Sequence, residues 1–133
     1  MTIQIRPVTV ATDTGKFRQE VRVAGHVLHA DEPASYGGDD TGPAPHEWVL
    51  AGLGACTSMT LKLYADRKQW PLERVSVELT AEHNAEGYNL RRKITLVGAA
   101  LTEEHRTRLL EIANKCPVHK ALSGPIRIES SLA

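Results

Sequence analysis

The chain has 133 residues, the size of one domain rather than two. Its 16 Lys and Arg balance 16 Asp and Glu, which leaves no cationic excess for a phosphate-rich partner and argues against nucleic acid and anionic membrane surfaces. The N-terminus, Met1-Thr-Ile-Gln-Ile-Arg6, has no apolar h-region, so a cytoplasmic protein is expected, where its two cysteines read as redox or metal chemistry.

In chain order, Ile3, Ile5, Val8 and Val10 form an apolar series interrupted by Pro7, which suits an edge strand. Asp13-Thr14-Gly15 marks a turn. Phe17, Val21 and Val23 lead through Ala24-Gly25 to His26-Val-Leu-His-Ala30, completing a meander of three strands. Asp31 to Pro45 is a loop rich in Gly, Pro, Asp and Ser, longer than the roughly 4–6 residues typical of compact domains, and such loops are often functional.

Pro45 to Lys68 predicts a long helix, with Pro45 at the first position, where its missing N–H costs nothing. Trp48 to Leu61 carries no charge on any face. A helix apolar all round must be buried on all sides, more than a chain of this size supplies. Packing against the same helix of a second subunit answers the need, and the small residues Ala51, Gly52, Gly54 and Ala55 permit close approach. The uncharged stretch falls short of the roughly 20 residues that span a bilayer.

Beyond Trp70-Pro71, Val75, Val77, Leu79 and Ala81 alternate with polar residues, Asn84-Ala-Glu-Gly87 turns the chain, and Leu90, Ile94, Leu96 and Val97 return it. Thr102 is the expected N-cap of a helix with Leu109, Leu110, Ile112 and Ala113 on its apolar side. Cys116-Pro117 begins a short helix, and Ile126 and Ile128 predict a closing strand. The order βββ-α-ββ-αα-β belongs to the α+β class, as a single domain over 1–133.

Cys56 falls inside the apolar helix. A plain account makes it a small buried hydrophobe, inert unless a cation is brought to it. Cys116, at the N-cap of a helix begun by Pro117, has a setting that favours a thiolate; the plain account is a buried cap residue. Cys116-Pro-Val-His119 has the C-x-x-H spacing of a zinc ligand pair, but no second pair lies near Cys56 and the other histidines are scattered, so neither metal nor cofactor is expected. Glu47, in the first turn of the long helix, either compensates the dipole or orients an arginine toward Cys56.

Gly42-Pro-Ala-Pro-His-Glu-Trp-Val-Leu-Ala-Gly-Leu-Gly-Ala-Cys-Thr57 resembles the central-helix signature of the OsmC/Ohr family, and Cys116-Pro-Val-His119 is similar to its second-cysteine segment. Asp31-Glu-Pro and Gly37-Gly-Asp-Asp-Thr-Gly-Pro43 look like the OsmC-like branch, and the element order matches over essentially the whole chain. The resemblance implies an intertwined homodimer with two buried central helices enclosed by sheets from both subunits. It implies a thiol peroxidase acting on organic hydroperoxides, with Cys56 as peroxidatic cysteine, Cys116 as resolving cysteine, and a dithiol reductant of lipoyl type. Glu47 matches the family's glutamate, which orients an arginine; here Arg18 is the leading candidate, with Lys16 and Arg22 the alternatives. Trp48, Leu53 and Met59 beside the cysteine suggest a preference for organic over inorganic peroxide. A second reading is a catalytically weak OsmC-like domain that senses redox state or binds a small apolar ligand.

Overall fold

The computed structural model describes residues 2–133. The described chain divides into two compact units, residues 2–49 and 50–133.

The first unit carries β1 (Val8–Thr12), β2 (Gln19–Val23) and β3 (His26–Ala30), an antiparallel meander in the order β1-β2-β3. Its register sets Val10 opposite Val21 and Val21 opposite Leu28. Directly opposed residues share a face, so Val8, Val10, Val21, Val23 and Leu28 line one side. Arg22 and Glu20, paired with each other, line the other. Ile3 and Ile5 precede the strand rather than belonging to it and are exposed; regular pairing starts only after Pro7, which has no N–H to give a ladder.

The long loop that follows is tied down. The Asp31 carboxylate accepts from the Thr41 hydroxyl at 2.6 Å, the Thr41 N–H at 3.1 Å and the Glu32 N–H at 2.8 Å. These donors, the Thr41 hydroxyl foremost, hold Asp31 below the ordinary carboxylate value against the opposing effect of burial. Gly42 is required there: a Cβ would stand 2.3 Å from the His29 carbonyl oxygen.

Helix α1 runs from Pro45 to Lys68, the bounds expected from sequence. It ends in a Schellman arrangement: Gln69 takes a φ of 58°, its N–H donates to the Asp66 carbonyl at 3.1 Å, and the Trp70 N–H donates to the Ala65 carbonyl at 2.9 Å.

In the second unit, β4 (Arg74–Asn84) and β5 (Gly87–Val97) form a long hairpin closed where Asn84 pairs with Gly87. Helix α2 (Glu103–Ala113) starts at Thr102, as expected. Thr102 Oγ1 accepts from the His105 N–H at 3.1 Å while His105 Nδ1 accepts from the Thr102 N–H at 3.2 Å, a capping box with His in place of the usual Glu. Helix α3 (Pro117–Ser123) follows, with Cys116 as N-cap and Pro117 at its first position. The core joins Leu61 and Ala65 of α1 to Leu72, Leu101, Leu109, Ile112 and Ala113, with Trp70, Val75, Ile94 and Leu96 packed against it.

One expectation needs correction. Residues 124–133 form no strand within the chain: Ile126 and Ile128 are 62% and 84% exposed, and their alternation, a strand's pattern, pairs with no edge of either sheet. Within the chain, α1 is buried on one stripe only, Leu53, Thr57, Leu61 and Ala65 at four-residue spacing; Met59 (70%) and Leu63 (51%) stay open. The small residues divide accordingly. Gly54 lets α1 approach the hairpin, since a Cβ there would stand 2.8 Å from the Leu79 side chain, whereas Gly52 faces open space.

Candidate functional site: the Cys116–Thr57–Arg92 cluster

The hairpin of the second unit turns one face inward: Val75, Val77, Leu79 and Ala81 on β4 stand opposite Leu96, Ile94, Arg92 and Leu90 on β5. Seven of the eight are apolar, and the exception is an arginine. A cation placed on the packed face of a sheet is costly unless every donor it turns inward finds a partner.

Arg92 finds three. Its Nη1 donates to Thr57 Oγ1 at 3.0 Å, and its Nη2 donates to Asn114 Oδ1 at 3.1 Å and to His119 Nδ1 at 3.0 Å. All three acceptors are neutral, and among the described residues no carboxylate lies within ion-pair distance of Arg92. Because His119 Nδ1 accepts, its ring proton sits on Nε2. Burial first, and the Arg92 charge second, hold His119 below the ordinary imidazole value.

Thr57 connects this cation to sulfur. Its hydroxyl donates to the Leu53 carbonyl at 2.7 Å and lies 4.0 Å from Cys116 Sγ. Cys116 is fully buried, and its sulfur also accepts from the His119 N–H at 3.3 Å. Cys56, one residue before Thr57, is partly exposed, with Sγ 3.9 Å from Thr60 Oγ1; both cysteines are free thiols. Beside the cluster opens a cavity of about 530 Å³, lined by Leu53, Leu90, Ile94, Leu110 and Leu122 together with Arg92, Asn114 and His119.

The two other expected site residues belong to the first unit. Glu47 Oε1 accepts from the Ala44 N–H at 2.8 Å, so Glu47 caps the start of its own helix. Arg18 Nε lies 3.3 Å from Asp13 Oδ2, an ion pair whose misalignment leaves the buried Nε–H without an acceptor. His29 Nε2 approaches the same Asp13 oxygen at 3.6 Å. Of the two alternatives, Arg22 pairs with Glu20 and Lys16 lies over the Phe17 ring. Leu53 is buried and lines the cavity, whereas Met59 lies on the open face of α1. Sequence reasoning passed over Arg92, Thr57 and Asn114. The signal for Arg92 was present in the alternation of Leu90, Ile94 and Leu96, which places residue 92 on their face.

No helix among the described residues is long and apolar enough to cross a membrane. Comparison with curated proteins gave no match. Solved structures with the same fold include an OsmC-like protein from Mycoplasma pneumoniae (19% identity, covering 92% of this chain and 90% of that one, TM-score 0.74). A second is the organic hydroperoxide resistance protein OsmC from Legionella pneumophila (18% identity, 93% of each chain, TM-score 0.69). A third is the organic hydroperoxide resistance protein OhrB of Bacillus subtilis (19% identity, 91% and 92%, TM-score 0.64). The profile of OsmC-like proteins matches residues 37–131, the greater part of the sequence and the part that holds α1, both cysteines and Arg92; the chain belongs to the OsmC-like protein family.

Proposed function

We propose that this protein is a thiol-dependent peroxidase that reduces organic hydroperoxides as a single-domain homodimer. The Cys56 thiolate attacks the distal oxygen of the hydroperoxide. The O–O bond breaks, the alkoxide leaves and takes a proton to become the alcohol, and Cys56 is oxidised to a sulfenic acid. The Cys116 sulfur then attacks the Cys56 sulfur, releasing water and closing a disulfide. A dithiol, of lipoyl type in this reading, reduces that bond in a reducing, cytoplasmic setting. Glu47 orients Arg18 toward the peroxidatic thiolate.

The observation that carries the reading is the unlike setting of the two thiols. Cys116 is sealed in the core with its sulfur against Thr57, the neighbour of Cys56, while Cys56 keeps partial exposure. An accessible sulfur meets the peroxide and a protected one resolves it. Membership of the family and the hydroperoxide-resistance names of two structural neighbours support the same class of chemistry. The open face of α1, with Met59 and Leu63 exposed, supports the dimer.

Cys56→Ser should abolish peroxide consumption while the protein still sediments as a dimer; undiminished turnover in that variant excludes the mechanism. The apolar walls of the cavity favour a second reading, a catalytically weak domain that binds a small apolar ligand or senses redox state. Ligand binding with both thiols surviving exposure to peroxide marks the first form of that reading, and oxidation of the thiols without sustained turnover marks the second.

A further inference from the structure

The disulfide proposed above has two sulfurs, and their burial decides which one a reductant attacks. Cys116 has no exposed surface, and Cys56 is partly exposed. A dithiol therefore attacks Cys56, and Cys116 is the sulfur that leaves. Its departure places a negative charge inside the protein, beside Thr57.

We infer that Arg92 is the positioning residue for that departure, acting through the Thr57 hydroxyl on the Cys116 sulfur; this rests on the disulfide cycle proposed above. Three observations carry it. Arg92 is the one charged residue among the eight that line the packed part of the hairpin face, a placement that packing alone disfavours. Its three partners, Thr57, Asn114 and His119, are neutral acceptors that fix the guanidinium without neutralising it. Thr57 has a single hydroxyl proton, given to the Leu53 carbonyl, and accepts from Arg92 on the same oxygen. Once Cys116 carries charge, that proton has a stronger acceptor to turn toward, and the Arg92 bond makes the hydroxyl a better donor.

The step balances as follows. One thiolate of the dithiol attacks Cys56 Sγ, forming a mixed disulfide. The Cys56–Cys116 bond breaks and its electron pair goes to Cys116 Sγ. Cys116 takes up a proton, the second thiol of the reductant gives one up to solvent, and the resulting thiolate attacks the mixed disulfide, closing the reductant's own disulfide and releasing Cys56 as the thiolate. The protein disulfide is reduced by two electrons and the dithiol oxidised by two. The charge that builds on the leaving sulfur is met by the hydroxyl that Arg92 polarises, so the cation accelerates the reductive half of the cycle.

The test separates the two halves. Reduced wild type, Arg92→Met and Arg92→Lys are each oxidised with one equivalent of cumene hydroperoxide, freed of peroxide, and reopened with dithiothreitol while thiols are followed in time. Arg92→Met should consume the hydroperoxide, the step at Cys56, within about twofold of the wild-type rate and reopen its disulfide about tenfold more slowly, the loss expected for one charge-assisted contact. Arg92→Lys should recover part of the reopening rate, because it restores the charge without the fork. Thr57→Val, which removes the hydroxyl and keeps the arginine, should show the same selective slowing and carries the test if Arg92→Met does not fold. Wild-type reopening in Arg92→Met or Thr57→Val overturns the inference, as does equal slowing of both halves or failure of lysine to restore any rate. If wild type itself forms no disulfide, it is the peroxidase reading that fails, and this inference falls with it.

Discussion

His119 holds two positions in one hydrogen-bond network. Its backbone N–H serves the Cys116 sulfur, and its ring Nδ1 accepts from Arg92. A proton on Nδ1 would remove that acceptor and set an imidazolium beside a guanidinium. The folded-state affinity for this proton lies below the ordinary value of 6.5, so at acid pH the unfolded chain binds more protons than the folded one. Stability from this contact is therefore complete above about 6.5 and is lost as pH falls below it. Denaturation midpoints measured from about pH 7 to about pH 5 should fall more steeply for wild type than for His119→Gln, which keeps an acceptor and does not titrate; parallel curves would show that burial and the Arg92 charge do not hold the ring neutral. Cys116 and Glu47 were legible as candidates because a cap and a first helical turn have local signatures. Arg92 was passed over because alternation was read only through its apolar members. Thr57 and Asn114 had no local signal: Thr57 lies inside a helix, Asn114 just past the end of another, and only the fold brings them to β5.

At the scale of elements, the reading succeeded where the signal was local. Pro45 and Trp70-Pro71 bracket α1, Asn84-Ala-Glu-Gly87 closes the hairpin, and Thr102 and Cys116 cap the two later helices. It failed at Ile126 and Ile128, since a strand is defined by the edge it pairs with and no local pattern reveals whether that edge exists. The end of α1 offers a prediction of its own. Gln69 occupies the left-handed region with a φ of 58°, where a side chain costs about 1–2 kcal/mol and glycine is the usual occupant. Gln69→Gly should stabilise the protein by about 1 kcal/mol, less than the full relief because glycine gains freedom in the unfolded chain. Equilibrium unfolding in urea checks this, with an unchanged or lowered midpoint as the contrary result.

For the molecule as a whole, the apolar residues of the first sheet and the uncovered stripe of α1 pose the same problem. Val8 (56%), Val10 (55%) and Leu28 (41%) on one sheet face, and Met59 and Leu63 on the helix, are large apolar side chains left open within the chain. The homodimer proposed above covers such surface with a second copy, and it accounts for a helix without charge over three turns. Within each chain the proposed chemistry reduces to a division of labour between a partly exposed thiol and a buried one, with a cation fixed on an apolar sheet face beside the latter. The measurement that bears most directly on this account is a thiol titration of the reduced protein, with intact mass, after one equivalent of an organic hydroperoxide. The account predicts loss of both thiols, with each subunit lighter by two hydrogens and one molecule of alcohol released. Survival of both thiols would contradict it, leaving the family's fold without the peroxidase chemistry.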